Sequence, residues 1–148
     1  MEPSFSLKAP TMKFALLFAL LFFAPAAHAQ MAIIANRQVP RDSINGLQLR
    51  DIYTLNERQW GNGTRIVPII LKGSGSCMTT FYSVVGRKPL EMRKLWMLAK
   101  LTGETNAPVA LESDEDVVAM VSRTPGAIGI IHADSPAANT KLLLMVVE

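Results

Sequence analysis

Four residues near the middle of the chain have the types and the spacing that an anion-binding site needs. Gly73-Ser-Gly-Ser76 follows an apolar run that ends at Leu71, and residues recurring at helical spacing come directly after it. The first backbone N–H groups of a helix lack intrahelical partners, and the helix dipole favours negative charge beside them. Glycine lets that backbone approach a ligand closely, and serine hydroxyls add donors. The segment therefore predicts an anion site formed by Lys72, Gly73, Ser74, Gly75, Ser76 and Cys77.

A second interpretation of the same residues needs no ligand. They also fit an ordinary turn in which Ser76 caps the following helix. The segment is not a nucleotide-binding P-loop, because the Gly-Lys-Ser/Thr sequence of that motif is absent. The motif by itself leaves both interpretations open.

The side chains that most often perform catalysis or bind metals are scarce. One cysteine in 148 residues excludes a disulfide framework within the chain and a multi-cysteine zinc site, and two histidines argue against a histidine-based metal site. His132 is the single histidine after Ala29, and no nucleophile motif surrounds it, so we expect a loop or strand-end histidine. Cys77 lies near a helix start, which can lower a thiol pKa, and its reactivity stays open. We expect no enzymatic activity, no metal and no cofactor.

Composition narrows the class of protein further. The length of 148 residues fits one domain, and the apolar content of 49% against 18% charged residues predicts a packed core. Large aromatic side chains at Trp60, Phe81 and Trp96 are expected to be at least partly buried in it. The net charge of +3 comes without a Lys/Arg tract, so we expect no nucleic-acid partner. A basic cluster is interpreted as a solvated helix face, with an interaction patch as the alternative: Arg87, Lys88, Arg93, Lys94 and Lys100.

The start of the chain has the pattern of a secretory signal peptide. Lys13 precedes an apolar run over residues 14–24, and Ala27-His-Ala29 provides the small-residue end that signal peptidases cleave. A run of this length spans about 16 Å as a helix, far less than a ~30 Å hydrocarbon core, so it does not predict a membrane anchor. We expect cleavage after Ala29 and a periplasmic domain at residues 30–148. The start at Met1 or at Met12 stays open.

Alternating strands and helices are predicted to position these residues. Apolar runs predict strands at 31–35, 65–71, 127–131 and 142–147. Helices are predicted after the cap Asn45 with its partner Gln48, after the Gly-Ser segment, from Pro89, and after the cap Ser113. Pro68 places its strand at a sheet edge or at a bulge. Because strands separated by helices run parallel, the sequence predicts an α/β fold with a mainly parallel sheet flanked by helices.

The order of the motifs carries a resemblance to a known family. The order runs through Leu47-Gln-Leu-Arg-Asp-Ile-Tyr53, Trp60-Gly-Asn-Gly63, Gly73-Ser-Gly-Ser76, Phe81, Trp96 and Thr124-Pro-Gly-Ala-Ile-Gly-Ile130. In this order the chain resembles the phosphate-type substrate-binding proteins of bacterial ABC transporters, in their small, single-lobe form, over about residues 31–147. The resemblance implies one lobe of the type II periplasmic-binding-protein fold. It also implies phosphate or a related oxyanion as ligand and a periplasmic or membrane transport protein as partner.

The ligand segment departs from the family pattern at two positions. Full-length members of the family have Arg-Ser-Asp-Gly-Ser-Gly-Thr, and this chain has Ile70 for the arginine and Lys72 for the aspartate. Lysine cannot accept a hydrogen bond from a protonated oxyanion, and loss of arginine removes a bidentate clamp. We therefore expect poor selectivity from these two departures and weak binding from a single lobe. A periplasmic protein-interaction module that has lost ligand capture is the alternative.

Overall fold

The computed structural model describes Ser4, residues 30–104 and residues 106–147. These residues form five strands, β1 (Gln30–Asn36), β2 (Val67–Leu71), β3 (Val109–Leu111), β4 (Ala127–His132) and β5 (Thr140–Val147). Four helices accompany them, α1 (Gly46–Tyr53), α2 (Ser76–Val85), α3 (Pro89–Leu101) and α4 (Asp114–Arg123). The expected signal peptide at 1–29 lies outside the described residues, Ser4 apart. None of the helices in the described part is long and apolar enough to cross a bilayer.

The strands form one mixed sheet in the order β3-β2-β4-β1-β5. Strand β2 runs parallel to β3 and β4, whereas β1 runs antiparallel to β4 and β5. The predicted α/β class is confirmed, but the sheet is mixed rather than mainly parallel. The reason is that helical crossovers connect β2, β3 and β4 and return the chain in one direction. Strand β1 is buried on both faces, so its continuous apolar run does not show whether it pairs parallel or antiparallel with its neighbours.

Strand β5 forms one edge of the sheet and is not a regular strand. Its pairing with β1 shifts between Ile33 and Ile34, where Leu143 is the extra residue of a bulge. The Leu143 carbonyl accepts a hydrogen bond of 3.1 Å from the Ile44 backbone N–H, in the loop before α1. The Lys141 ammonium donates to the Val39 carbonyl of the same loop at 2.7 Å.

Pro68 lies in an inner strand, contrary to the expectation of a sheet edge or a bulge. The Val67 N–H points to the β4 side, where it donates to the Gly126 carbonyl at 3.1 Å. Because successive residues of a strand face opposite sides, the Pro68 nitrogen points toward β3. Strand β3 pairs only with Ile69–Leu71, so no strand residue lies opposite the nitrogen that lacks a hydrogen. The proline therefore removes no ladder hydrogen bond.

Local capping signals produce the helix starts that the sequence predicts. Asn45 and Gln48 form the predicted capping box of α1, with hydrogen bonds of 2.9 and 3.0 Å. Pro89 is the first residue of α3, and the Ser113 hydroxyl accepts from the Asp116 N–H at the start of α4. Helix ends that depend on local sequence alone are thus placed correctly.

The predicted aromatic residues are all in the core. Trp60, Phe81 and Trp96 are 2%, 0% and 5% exposed. The Phe81 ring packs edge-on against Tyr53 at 4.9 Å between centroids, and the Tyr53 hydroxyl donates to the Ile69 carbonyl at 2.8 Å. The Trp96 indole donates to the Tyr53 carbonyl at 2.7 Å. Each polar atom of these buried rings is therefore satisfied, and α1, α2 and α3 are joined to β2 through Tyr53.

Helix α4 packs directly on β4 because β4 contains Gly129. A Cβ at Gly129 would lie 2.6 Å from the Val117 Cγ1 atom. Only glycine permits this approach of helix and strand. As a result, the first residues of α4 lie beside His132, the last residue of β4.

Candidate functional site

Three parallel strands bring their carboxyl ends to one edge of the sheet. Leu71, Leu111 and His132 are the last residues of β2, β3 and β4 at this edge. Helices α2 and α4 begin there, after β2 and β3 respectively. Ligands of open α/β sheets bind outside the carboxyl ends of the strands. The Gly-Ser segment thus lies at the edge where a ligand is expected.

The start of α2 is free of side-chain caps. The N-cap residue is Gly75, which has no side chain to accept a hydrogen bond from the first N–H groups. The first turn contains no acidic residue. Ser76 is the first helical residue, so the interpretation of Ser76 as the cap is wrong. Gly73 has φ +96°, a conformation that favours glycine, and a Cβ at Gly73 or Gly75 would meet no atom within 4 Å. The segment is therefore exposed to open space.

The start of α4 is filled by its own side chains. The Ser113 hydroxyl accepts from the Asp116 N–H at 3.2 Å. Asp114, Glu115 and Asp116 occupy the first turn, as the sequence predicts. Negative charge already complements the dipole of this helix, so an added anion would be repelled.

Asp114 connects α4 to the end of β4. The His132 Nδ1 atom lies 2.9 Å from an Asp114 carboxylate oxygen, and the Ser135 hydroxyl donates to the same oxygen. His132 ends β4, which confirms the expected strand-end position. The pairing with Asp114 was not predictable from the sequence, because only the parallel topology brings the two residues together. Since Ser135 donates to the carboxylate and not to the imidazole, this arrangement does not activate the serine as a nucleophile.

Lys72 is paired with an acid from the neighbouring strand end. Its ammonium lies 2.6 Å from a Glu112 carboxylate oxygen, and the two side chains are 54% and 72% exposed. An exposed pair of this kind contributes little stability and breaks easily. Lys72 therefore reaches an anion only by leaving Glu112.

Cys77 is buried and its thiol is protonated at neutral pH. The residue is 1% exposed. Burial, together with a smaller contribution from the charge of Asp114, raises the pKa of the Cys77 thiol to about 12. Burial thus raises the thiol pKa more than the helix start lowers it. We therefore expect Cys77 to be unreactive at neutral pH. Cys77 can therefore contact a ligand in the predicted site through its backbone and not through its buried thiol.

Five of the six predicted residues, all but Ser76, line two depressions of different chemistry. Gly75 and Cys77 line a cleft of about 220 Å³ between the starts of α2 and α4. Gly73 and Ser74 line a groove of about 560 Å³ on the other side of the segment, toward α3. Lys72 lines both. The segment therefore stands between the two depressions and does not form the floor of one pocket.

The two depressions differ in their charged residues. The cleft contains acidic side chains opposite Lys72 and His132, namely Glu112, Asp114 and Glu115. The groove has basic side chains and no acidic ones in its lining: Lys72, Arg93 and Lys100. In the described part of the chain, no three His, Cys, Asp or Glu side chains are arranged so that they could hold a metal ion.

Solved structures provide the comparison for this fold. A Clostridium perfringens protein assigned as a phosphate ABC transporter substrate-binding protein, solved with phosphate bound, has a TM-score of 0.63 and 18% identity over 78% of this chain and 44% of its own. An ABC-type phosphate transport receptor from Vibrio cholerae has a TM-score of 0.61 and 17% identity, over 78% and 46%. PstS from Borrelia burgdorferi has a TM-score of 0.59 and 15% identity, over 78% and 47%.

These similarities establish the fold. Because the chain covers less than half of each neighbour, it corresponds to about one lobe of such a protein. The resemblance found in the sequence is therefore supported at the level of the fold. Neither a protein-family model nor a curated relative matches the sequence.

Proposed function

We propose that this protein is an exported, solute-binding-like lobe that binds phosphate or a related oxyanion weakly at the start of α2. One observation carries the proposal: of the two helix starts at the carboxyl edge, α4 is filled by Ser113 and acidic residues, whereas α2 has no side-chain cap and no acid. Uncapped N–H groups at a positive helix end are donors for an anion. The likeness to phosphate-transport proteins favours phosphate among the oxyanions.

Weak binding follows from the surroundings of the site. Glu112 and Asp114 line the cleft into which Gly75 and Cys77 open, and both repel an anion. Lys72 must leave Glu112 to contribute its charge. A site on one open lobe also stays wet, so each charge interaction is reduced. We expect affinity that falls with salt and little discrimination between phosphate and sulfate, since the Lys72 side chain cannot accept a hydrogen bond.

An amide chemical-shift titration with phosphate and with sulfate tests the proposal. The expected result is saturable shifts at residues 73–78 for both anions at millimolar concentration. Ser76→Asp places a carboxylate in the first turn of α2 and should abolish the shifts. Ser43→Asp adds the same charge at an exposed loop position and should leave the shifts unchanged. Folded protein without any response at residues 73–78 contradicts anion binding.

Export is the second part of this proposal. Cleavage after Ala29 would leave β1 intact, because the strand begins at Gln30. The mature protein would then be periplasmic, with a membrane component of phosphate-type uptake as its partner. Intact-mass measurement of protein from the periplasmic fraction tests this, with Gln30 expected as the first residue. A product that retains residues 14–24 contradicts it.

A protein-interaction module is the second candidate function. Helix α3 exposes large apolar side chains on the side away from the core: Leu90, Leu98 and Leu101, which are 56%, 59% and 79% exposed. A solvent-facing helix surface is ordinarily polar, and exposed apolar clusters often bind partners. The basic cluster around α3 is exposed beside them. A folded protein without an anion response would favour this function.

A further inference from the structure

The groove beside α3 has one wall formed by a single helix face. Arg93, Trp96, Met97 and Lys100 are spaced at i, i+3, i+4 and i+7, and all four line the groove. Trp96 is 5% exposed, whereas Met97 is 63% exposed. This wall therefore combines an indole and a flexible thioether with a cation at each end.

The sheet contributes apolar side chains to the lining of the groove. Strand β2 contributes Ile70 and Leu71, and β3 contributes Ala110. Tyr82 of α2 lines the groove as well and is half-buried. Burial raises the pKa of the Tyr82 phenol, and the positive charge of Arg93 partly opposes that effect.

The charge of the groove is not neutralised by neighbouring acids. In the described residues, Arg93 and Lys100 have neither a hydrogen bond nor an ion pair from their side chains, and no acidic residue lines the groove. The third cation, Lys72, is paired with Glu112. Two free cations thus border a groove of about 560 Å³, a volume typical of sites for small organic ligands.

We propose that this groove binds an amphipathic organic anion, with its apolar chain against Trp96, Met97 and Ile70 and its charged group at Arg93 and Lys100. An apolar surface alone would accept neutral and cationic amphiphiles equally well. The two unpaired cations select the anion, because like charge at the rim repels a cation and leaves a neutral molecule without a partner. This site adjoins the oxyanion site proposed at α2 and shares Lys72, Gly73 and Ser74 with it. The proposal does not depend on oxyanion binding at α2, because its cations are Arg93 and Lys100.

Three probes of equal chain length test the proposal: octanoate, octanol and octylammonium, each followed by amide chemical shifts of the purified chain. We expect octanoate to bind most tightly, with shifts at residues 70–74, 82 and 93–100, and octylammonium to give none there. Arg93→Glu combined with Lys100→Glu should weaken octanoate binding at least tenfold. The control is Arg87→Glu combined with Lys94→Glu, which makes the same change in charge off the groove and should alter binding less than twofold.

Several outcomes overturn the proposal. Equal binding of octylammonium and octanoate, or equal effects of the two double variants, shows adsorption without charge selection. Octanoate shifts confined to Leu90, Leu98 and Leu101 show that the outward face of α3 is used and the groove is not. Because all four substituted residues are exposed, the variants should keep the far-ultraviolet circular dichroism of the parent. If either variant unfolds, the shift map of the parent protein with the three probes decides the question.

Discussion

Helices α2 and α4 begin at the same edge of the same sheet, yet their first turns are opposites. The first turn of α4 has a serine cap and three acidic residues, and Asp114 holds His132 and Ser135 in place. The first turn of α2 follows Gly75 and has no cap, no acid and no charged side chain. Both helices direct the positive end of their dipole toward the carboxyl edge.

The difference shows that topology supplies the candidate position and side chains decide its use. An N-terminus complemented by its own carboxylates contributes to stability and is closed to ligands. An N-terminus left open forgoes that stability and keeps its donors available. In this protein the two uses stand on either side of one cleft of about 220 Å³.

The largest effect is expected where α2 is anchored. Phe81 is fully buried and packs on Tyr53, so Phe81→Ala should lower the free energy of unfolding by about 3–5 kcal/mol. Urea unfolding followed by circular dichroism measures this. Ser83→Ala, on the exposed face of the same helix, is the control and should cost less than about 0.5 kcal/mol. A loss below about 1 kcal/mol for Phe81→Ala would mean that α2 is not held rigidly.

The pH dependence of stability tests whether burial or the helix dipole dominates the pKa of the Cys77 thiol. Burial raises the pKa of the folded-state thiol to about 12, so the folded state holds this proton more tightly than the unfolded state does. The resulting stability is complete below about pH 8.5 and is lost as the pH rises toward 12. We expect the free energy of unfolding to fall by up to roughly 1.4 kcal/mol per pH unit above pH 9.

The Cys77 effect has a narrow window for measurement. Burial also raises the pKa of Tyr53, which adds a decline in the same direction once the pH passes the ordinary tyrosine value near 10. Urea unfolding between pH 8.5 and pH 10 therefore isolates the cysteine. Cys77→Ala should flatten the decline within that window. An unchanged slope in the variant would show that the thiol is not shielded from water.

Each of the two helix starts contains one serine, and only Ser113 makes a capping hydrogen bond. Ser113→Ala removes the cap of α4 and should cost about 1 kcal/mol of stability. Ser76→Ala, at the first position of α2, removes no cap hydrogen bond and should cost no more than about 0.3 kcal/mol. Thermal unfolding of the two variants measures the difference. Equal losses would remove the contrast between the two helix starts.

The smallest effect converts α2 into a copy of α4. Ser76→Asp adds a carboxylate to an empty first turn and should raise the free energy of unfolding by about 0.3–1 kcal/mol at low salt. Glu115→Gln removes one charge from the filled turn of α4 and serves as the reverse case, with a small loss. Both changes should diminish in high salt. A destabilising Ser76→Asp would indicate that nearby acids such as Asp114 already dominate the potential at α2.

The local sequence predicted correctly those helix and strand ends that depend only on neighbouring residues. The capping box at Asn45, the cap at Ser113 and the apolar run of β4 follow from neighbouring residues only, and all are confirmed. Strand β3 escaped prediction because three half-buried residues give no apolar run. The antiparallel course of β1 escaped because burial on both faces carries no information about direction.

The sequence predicted where in the fold the Gly-Ser segment lies. It did not predict which side chains from other elements surround that segment. The Gly-Ser segment lies where strand, glycine and helix order place it, whereas its assignment as a ligand site stays a prediction. The pairings of Lys72 with Glu112 and of His132 with Asp114 join residues from separate elements. No spacing in the sequence encodes them, since they arise from parallel strands ending at one edge. The free cations Arg93 and Lys100 were visible in the sequence, but the groove they border was not.

The bulge in β5 affects how copies of this protein meet at high concentration. A long, straight edge strand is a template on which another chain can add a strand and begin to aggregate. Here Leu143 breaks the row of backbone groups, and its carbonyl is already bonded to Ile44. An incoming strand finds short stretches on either side of Leu143 in place of one continuous edge. We therefore expect the bulge and the loop before α1 to hinder the addition of a strand from another copy at the β5 edge.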